Sequence, residues 1–145
     1  VIEYNCRFGD SETQPIMMRL QSDLAELCLL ACNGELDKAT IDFDTRAAVG
    51  VVLAAGGYPG SYGKGDIISG LDTNKADDAK TFHAGTSLDN DNVVTNGGRV
   101  LCATALGNSV TEAQQKAYAL LKQIEWNGVQ FRNDIAYRAI EREQN

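Results

Sequence analysis

Glu3-x-Asn5-x-Arg7 is the stretch whose residue types and spacing are best suited to chemistry. In an extended backbone alternate side chains share a face, so these three point the same way. A carboxylate and an amide carbonyl are hard oxygen donors, matched to Mg²⁺ or Mn²⁺. The guanidinium of Arg7 is a planar fork for a phosphate or carboxylate. Together they would hold a metal-bound nucleotide phosphate; by residue type alone they also fit the wet face of an exposed strand.

Two glycine turns come next. In Ala54-Ala55-Gly56-Gly57-Tyr58-Pro59-Gly60, adjacent glycines after an apolar strand let the backbone approach a ligand, or simply turn tightly. No Gly-Lys-Ser/Thr follows at the spacing of a P-loop. In Thr95-Asn96-Gly97-Gly98-Arg99, exposed N–H groups and a guanidinium could share one anion, or form a hairpin turn with a surface Arg. His83 is the single histidine, alternating with Phe82 and Ala84, and no Ser/Asp arrangement around it suggests a triad. Trp126 and the other aromatics form no ladder for stacking bases.

The elements that must position these residues can be read from period and punctuation. Val1 to Asn5 alternates as a strand, and residues 7–14 are a polar loop. Pro15 suits the first position of a helix, and Ile16, Met17, Leu20, Leu24, Leu27, Cys28 and Ala31 predict one helix over 15–32, ending at Asn33-Gly34. Residues 34–45 read as a polar linker, with a domain boundary near residue 44. A Val/Ala-rich strand is predicted over 46–55, with shorter strands at about 66–70, 80–86, 92–95 and 98–106. Asp72 to Asp78 and Asp89 to Asn92 read as solvated turns. Ser109 and Glu112 form a capping box before a helix with Val110, Ala113, Ala117, Leu120, Leu121 and Ile124 on one face. Val129 to Phe131 could return as a strand, and Asn133 could cap a final helix ending near Arg142. Strands followed by a helix make an α+β domain over 45–145.

Composition narrows the classes. The 145 residues carry a net charge of −7, which disfavours phosphate-backbone binding to nucleic acid. The longest apolar run, Val49 to Ala55, falls far short of the roughly 20 residues of a spanning helix. The opening Val-Ile-Glu-Tyr-Asn has neither a basic leader nor the hydrophobic core of a signal peptide, and the first residue is Val rather than Met. The chain is therefore expected to start after processing or partway through a longer protein. The four cysteines, at 6, 28, 32 and 102, are read as reduced and mostly buried thiols of a cytosolic protein.

The segments VIEYNCRFGDSETQ, AAVGVVLAAGGYPG, KGDIISGL, FHAGT and VVTNGGRVLCATALG resemble, in order and spacing, the C-terminal third of bacterial glycinamide ribonucleotide synthetase, a member of the ATP-grasp ligases. The match runs essentially from Val1 to the end of the chain. The resemblance implies the C-terminal edge of an ATP-grasp domain (strand, loop, helix) over 1–44, followed by a small β-rich C-terminal domain with one main packed helix over 45–145. It implies a cytoplasmic ligase of purine biosynthesis that joins glycine to 5-phosphoribosylamine through glycyl phosphate, releasing ADP and phosphate. ATP is then the co-substrate and Mg²⁺ or Mn²⁺ the cofactor. By the same resemblance Glu3 and Asn5 are metal ligands, and Arg7 faces the phosphate or carboxylate being activated. Asp10 and Glu12 fall in the family's R-F-G-D-P-E-T-Q loop, where Ser11 replaces its Pro. Gly97-Gly98-Arg99 resembles an Arg-bearing turn that holds a ribose phosphate, with Gly56 and Gly57 on the closing surface. The implied partner is the N-terminal portion of the same enzyme, monomeric when intact and inactive without it, with no nucleic acid or membrane partner. The alternative is a stand-alone binding module for a phosphorylated small molecule, without catalysis.

Overall fold

The computed structural model describes residues 7–9, 11–71 and 76–144. In chain order they form α1 (Thr13–Arg19), α2 (Leu24–Cys32), a 3₁₀ turn (Leu36–Lys38), β1 (Ala47–Ala54), β2 (Ala79–His83), β3 (Thr86–Asp89), β4 (Asn92–Thr95), β5 (Arg99–Gly107), α3 (Val110–Leu121) and α4 (Tyr137–Glu143). This is a small α+β unit built on antiparallel sheets. One sheet has the order β1-β5-β2 and the other is the β3-β4 hairpin.

The main sheet follows from two apolar segments that differ in patterning. In β1, Val49, Val51 and Leu53 are buried while Gly50, Val52 and Ala54 face the other side. Their partners across the ladder include Ala105, Ala103 and Leu101. β5 is buried continuously from Val100 to Gly107, as a central strand covered on both faces must be. α3 covers the first face with Ala113, Ala117, Leu120 and Leu121, joined by Ile124 and Trp126. Fully buried leucines such as Leu53 and Leu101 contribute about 1.5–3 kcal/mol each. α1 lies on the second face. Gly50 allows that approach, because a Cβ there would stand 3.2 Å from Pro15 Cγ and 3.1 Å from Cys102 Sγ.

α3 starts as its sequence predicts. Ser109 Oγ accepts from the Glu112 N–H at 3.1 Å. The Glu112 carboxylate accepts from the Asn108 N–H at 2.8 Å, one residue ahead of the cap. The Glu143 carboxylate of α4 reaches across to accept from the Val110 N–H at 2.6 Å and the Thr111 N–H at 3.3 Å. Lys116 then ties α3 to the start of β2, 2.5 Å from Asp78 and 2.8 Å from Glu112. These contacts hold both carboxyls below the ordinary carboxylate range.

Several expected elements differ. The single helix over 15–32 is two helices. Leu20 turns extended and bridges Phe43, the Gln21 N–H donates to Asp42 O, and Asp23 caps α2 through the Ala25 and Glu26 N–H groups. Pro15 is the third residue of α1 rather than the first. The 80–86 strand ends at His83, where the chain turns into the β3-β4 hairpin. Over 66–70 and 129–131 there are only single bridges, Ile67 with Val94, Ser69 with Glu125 and Gln130 with Ala54. Asn133 does not cap the last helix, whose N-cap is Ala136. α3 side chains occupy that segment's backbone instead: Tyr118 Oη donates to Arg132 O and accepts from the Ile135 N–H, while Gln114 donates to Ile135 O. Of the cysteines, Cys102 is buried, but Cys28 and Cys32 are exposed free thiols because neither face of α2 is buried; Cys6 lies outside the described residues. Among the described residues no helix is long and apolar enough to cross a membrane.

Candidate functional site

The two glycine turns, some forty residues apart in sequence, meet in space. β1 carries the first turn at its C-terminal end and β5 the second at its N-terminal end, and antiparallel pairing brings those ends together. The Ala55 N–H donates to Gly98 O at 2.8 Å, and the Tyr58 N–H returns to Ala55 O at 3.1 Å. Gly57 takes φ 93°, a left-handed conformation that glycine adopts without strain. The reciprocal bonds between Ala54 and Gln130 dock a third segment against the first turn.

The closest approach is between Gly98 and Tyr58. A Cβ on Gly98 would lie 2.3 Å from Tyr58 Cδ2 and 2.7 Å from Cε2. The Tyr58 ring therefore rests directly on the backbone of Gly98. Tyr62 supports it from the side, with ring centroids 6.2 Å apart and planes at 59°. The Arg99 guanidinium lies over the Tyr58 ring, 5.9 Å from its centroid.

These groups open onto a cavity of about 520 Å³. Its wall combines Val52 and Ala54 from the second face of the sheet, Tyr58 and Pro59 from the first glycine turn, Arg99 from the second, and Ser11 from the loop before α1. Phe131 and Ile135 close the far side. The cavity is thus mainly apolar, with two guanidinium groups at its rim, Arg99 and Arg132, the latter paired with Asp134. Such a site suits a ligand that presents an anion to the rim and a less polar body to the wall.

The residues expected to do chemistry are distributed as follows. Glu3, Asn5 and Asp10 lie outside the described residues. Arg7 is exposed, and its Nη1 donates to Phe8 O at 3.2 Å. Glu12 is used locally, accepting from the Gly9 N–H at 2.7 Å. Ser11 has φ 62°, which the ring of a proline, fixed near −65°, excludes. The Ser-for-Pro replacement therefore sits at a backbone conformation that proline cannot adopt. Gly56 packs on Gly128, where an added Cβ would stand 2.9 Å from the Gly128 carbonyl oxygen. His83 is away from this cavity, with Nδ1 3.1 Å from Thr86 Oγ1. Among the described residues no group of three or more His, Cys, Asp or Glu side chains could hold a metal ion.

Tyr58, Ser11 and Phe131 carry no mark in the sequence that singles them out as wall residues. Tyr58 had one available signal: a large ring set between Gly56-Gly57 and Pro59-Gly60 needs something small to lie against. The partner glycine was forty residues away, and no periodicity points across that gap.

Comparison with known proteins places the geometry in context. The family described as phosphoribosylglycinamide synthetase, C domain, matches residues 48–138. A phosphoribosylamine–glycine ligase of Vibrio cholerae serotype O1 is 68% identical over 144 residues, covering 99% of this chain and 34% of the relative. One from Salmonella typhimurium strain LT2 is 64% identical over 146 residues, covering 100% of this chain and 34% of the relative. The chain thus spans about a third of the length of these curated relatives. The crystal structure of a phosphoribosylamine–glycine ligase from Thermotoga maritima superposes with a TM-score of 0.71 at 33% identity, over 92% of this chain and 32% of that one.

Proposed function

The chain belongs to the phosphoribosylglycinamide synthetase C-domain family, and on that footing we propose that it is the C-terminal portion of an ATP-dependent ligase joining glycine to 5-phosphoribosylamine. The reading includes a cytoplasmic ATP-grasp enzyme of purine biosynthesis, with residues 1–44 completing the ATP-grasp domain and 45–145 forming the C-terminal unit. One observation carries it: both glycine turns and the Ser11 loop line one cavity, in a chain 68% identical over nearly its whole length to a protein bearing that ligase name. The stand-alone binding module is not favoured, since the relatives described above are named as ligases.

Amide formation in water needs an activated carboxylate. In the proposed reaction a glycine carboxylate oxygen attacks the γ-phosphorus of ATP and ADP leaves. The amine of phosphoribosylamine then attacks the carbonyl carbon of glycyl phosphate, forming the C–N bond and releasing phosphate. Glu3 and Asn5 are hard oxygen donors of the kind that suits Mg²⁺ or Mn²⁺. When bound, such an ion supplies charge neutralisation at the transferring phosphoryl group. Arg7 would face that phosphoryl group or the acyl phosphate. Arg99, at the cavity rim with Gly97, Gly98 and the Gly56-Gly57 turn, would hold the phosphate of the aminosugar. The apolar wall would limit the water that reaches the acyl phosphate once the rest of the enzyme covers it.

The proposed partner is the remainder of the same enzyme. In support of this, Leu29, Leu36, Ile41 and Phe43 on and after α2 are 65%, 57%, 54% and 46% exposed. The test is Glu3→Ala in the full-length enzyme, assayed for glycinamide ribonucleotide formation at ordinary Mg²⁺. Activity falls by about 100-fold or more, with the melting temperature unchanged. Full activity in that variant would refute the metal-ligand assignment.

A further inference from the structure

We infer that Arg132 is a second binding residue for the phosphate of the aminosugar, held in place by Asp134 and by the backbone bonds of its own segment. The inference rests on the reading of the cavity given above, in which Arg99 holds that phosphate, and adds a second contact to it. Arg132 lines the same cavity from a different stretch of chain, between Phe131 and Ile135. The chain as a whole carries 13 Lys and Arg against 20 Asp and Glu. Around this cavity the balance is reversed: among the described residues its lining holds two arginines and no carboxylate. A phosphate monoester bears about two negative charges at neutral pH, its second ionisation falling near about pH 6. One guanidinium offsets about half of that charge, and a second offsets the rest.

The segment that carries Arg132 is fastened on both sides. Two residues before it, Gln130 exchanges backbone bonds of 2.7 and 2.9 Å with Ala54 at the end of β1. The Arg132 carbonyl accepts from Tyr118 Oη at 2.6 Å, and the Ile135 carbonyl accepts from Gln114 Nε2 at 2.8 Å, so α3 holds the other side. The side chain is 71% exposed, yet it is aligned. Nε donates to Asp134 Oδ1 at 2.8 Å and Nη2 donates to Oδ2 at 2.6 Å. Those bonds occupy the Nε–Nη2 edge. Nη1 takes part in neither, and its N–H groups suit a phosphate oxygen. Asp134 lines a neighbouring cavity and not this one, so its carboxylate holds the guanidinium from outside the site.

The experiment uses the full-length enzyme and two competitive inhibitors against phosphoribosylamine, ribose 5-phosphate and ribose 5-sulfate. The esters are alike in shape, but the sulfate carries a single negative charge. The parent binds the phosphate tighter than the sulfate by about tenfold or more. Arg132→Gln weakens phosphate binding by about tenfold and narrows that preference to about threefold or less, leaving KM for ATP and glycine within about twofold. Arg132→Lys keeps the charge and retains most of the preference. Asp134→Asn weakens phosphate binding by about threefold and adds nothing to Arg132→Gln. Both side chains are more than half exposed, so melting temperatures stay within about 2 °C of the parent. An unchanged phosphate-to-sulfate preference in Arg132→Gln overturns the inference, as does a parent that binds both esters alike or an equal rise in all three KM values. Tighter phosphate binding in Asp134→Asn overturns the part given to Asp134. If neither Arg99→Ala nor Arg132→Gln changes KM for phosphoribosylamine, it is the underlying reading of the cavity that fails. If Arg99→Ala raises it and Arg132→Gln does not, the second contact alone fails.

Discussion

Replacing Gly98 with Ala tests whether the two glycine turns are as tightly joined as the structure has them. The added carbon would stand 2.3 Å from Tyr58 Cδ2, 2.7 Å from Cε2 and 3.1 Å from Tyr62 Cε1. Carbon atoms pack at about 3.5–4.0 Å, so the Tyr58 ring must retreat by about an ångström or more. The backbone cannot yield instead: Gly98 is buried, its carbonyl is bonded to the Ala55 N–H, and Val100 just beyond it is fully buried. Overpacking of this kind costs about 1–3 kcal/mol. For a chain of this size that lowers the melting temperature by about 3–10 °C. Gly63→Ala is the matched control, since no atom lies within 4 Å of the added carbon, and it should move the midpoint by no more than about 1 °C. Thermal melts followed by circular dichroism read both. Adding Tyr58→Ala to Gly98→Ala removes the obstructing ring, so the pair should be coupled by about 1 kcal/mol or more. A Gly98→Ala protein that melts with its parent, or a cost that persists with Ala at position 58, would refute the contact.

Two further outcomes follow from the ends of the elements. Glu143→Ala removes the carboxylate that accepts from the first N–H groups of α3, and should cost about 1 kcal/mol in urea titrations; an unchanged midpoint would mean that Ser109 and water suffice. Arg46 forks onto Asp44 through Nε and Nη2 and holds its carboxyl at about 2. A carboxyl depressed below its unfolded value of about 3.9 stabilises the fold fully above that pH, and the contribution is lost as pH falls toward 2. The difference in urea midpoint between the parent and Asp44→Asn should therefore be constant from pH 7 to about 5 and shrink between about pH 4 and 2. A gap that stays constant through the lower window would refute the pairing.

Residues whose neighbours in sequence settle their environment were legible from the sequence. β1 declares itself by Val49, Val51 and Leu53, and α3 by its Ser109 cap and its row of Ala and Leu. The break between α1 and α2 was not legible, because the apolar spacing from Ile16 to Ala31 stays helical through Leu20. The deciding partner there is Phe43, more than twenty residues on. The same holds at Asn133, a good cap by type. Tyr118 and Gln114, about one turn of α3 apart, claim the backbone of that segment first. Free thiols favour cores, which predicts mostly buried cysteines, yet α2, which carries Cys28 and Cys32, buries no residue in this unit. At the candidate site, both glycine turns were visible from composition. Their contact was not, since it depends on β5 pairing antiparallel with β1 and on a ring filling the space that Gly98 leaves.

β5 lies between β1 and β2 in the sheet, yet it is the last of the three to be synthesised. The two earlier strands do not neighbour each other, so neither can complete its ladder while the chain still ends before residue 99. On a ribosome, β1 and β2 must wait with unpaired edges until the Arg99–Gly107 segment clears the exit tunnel and slots between them. That single insertion closes the sheet, seats one glycine turn on the other and forms the wall of the cavity. Nascent chains arrested before this point would carry both turns without a pocket, and those released after it would gain the pocket and the core in one cooperative step.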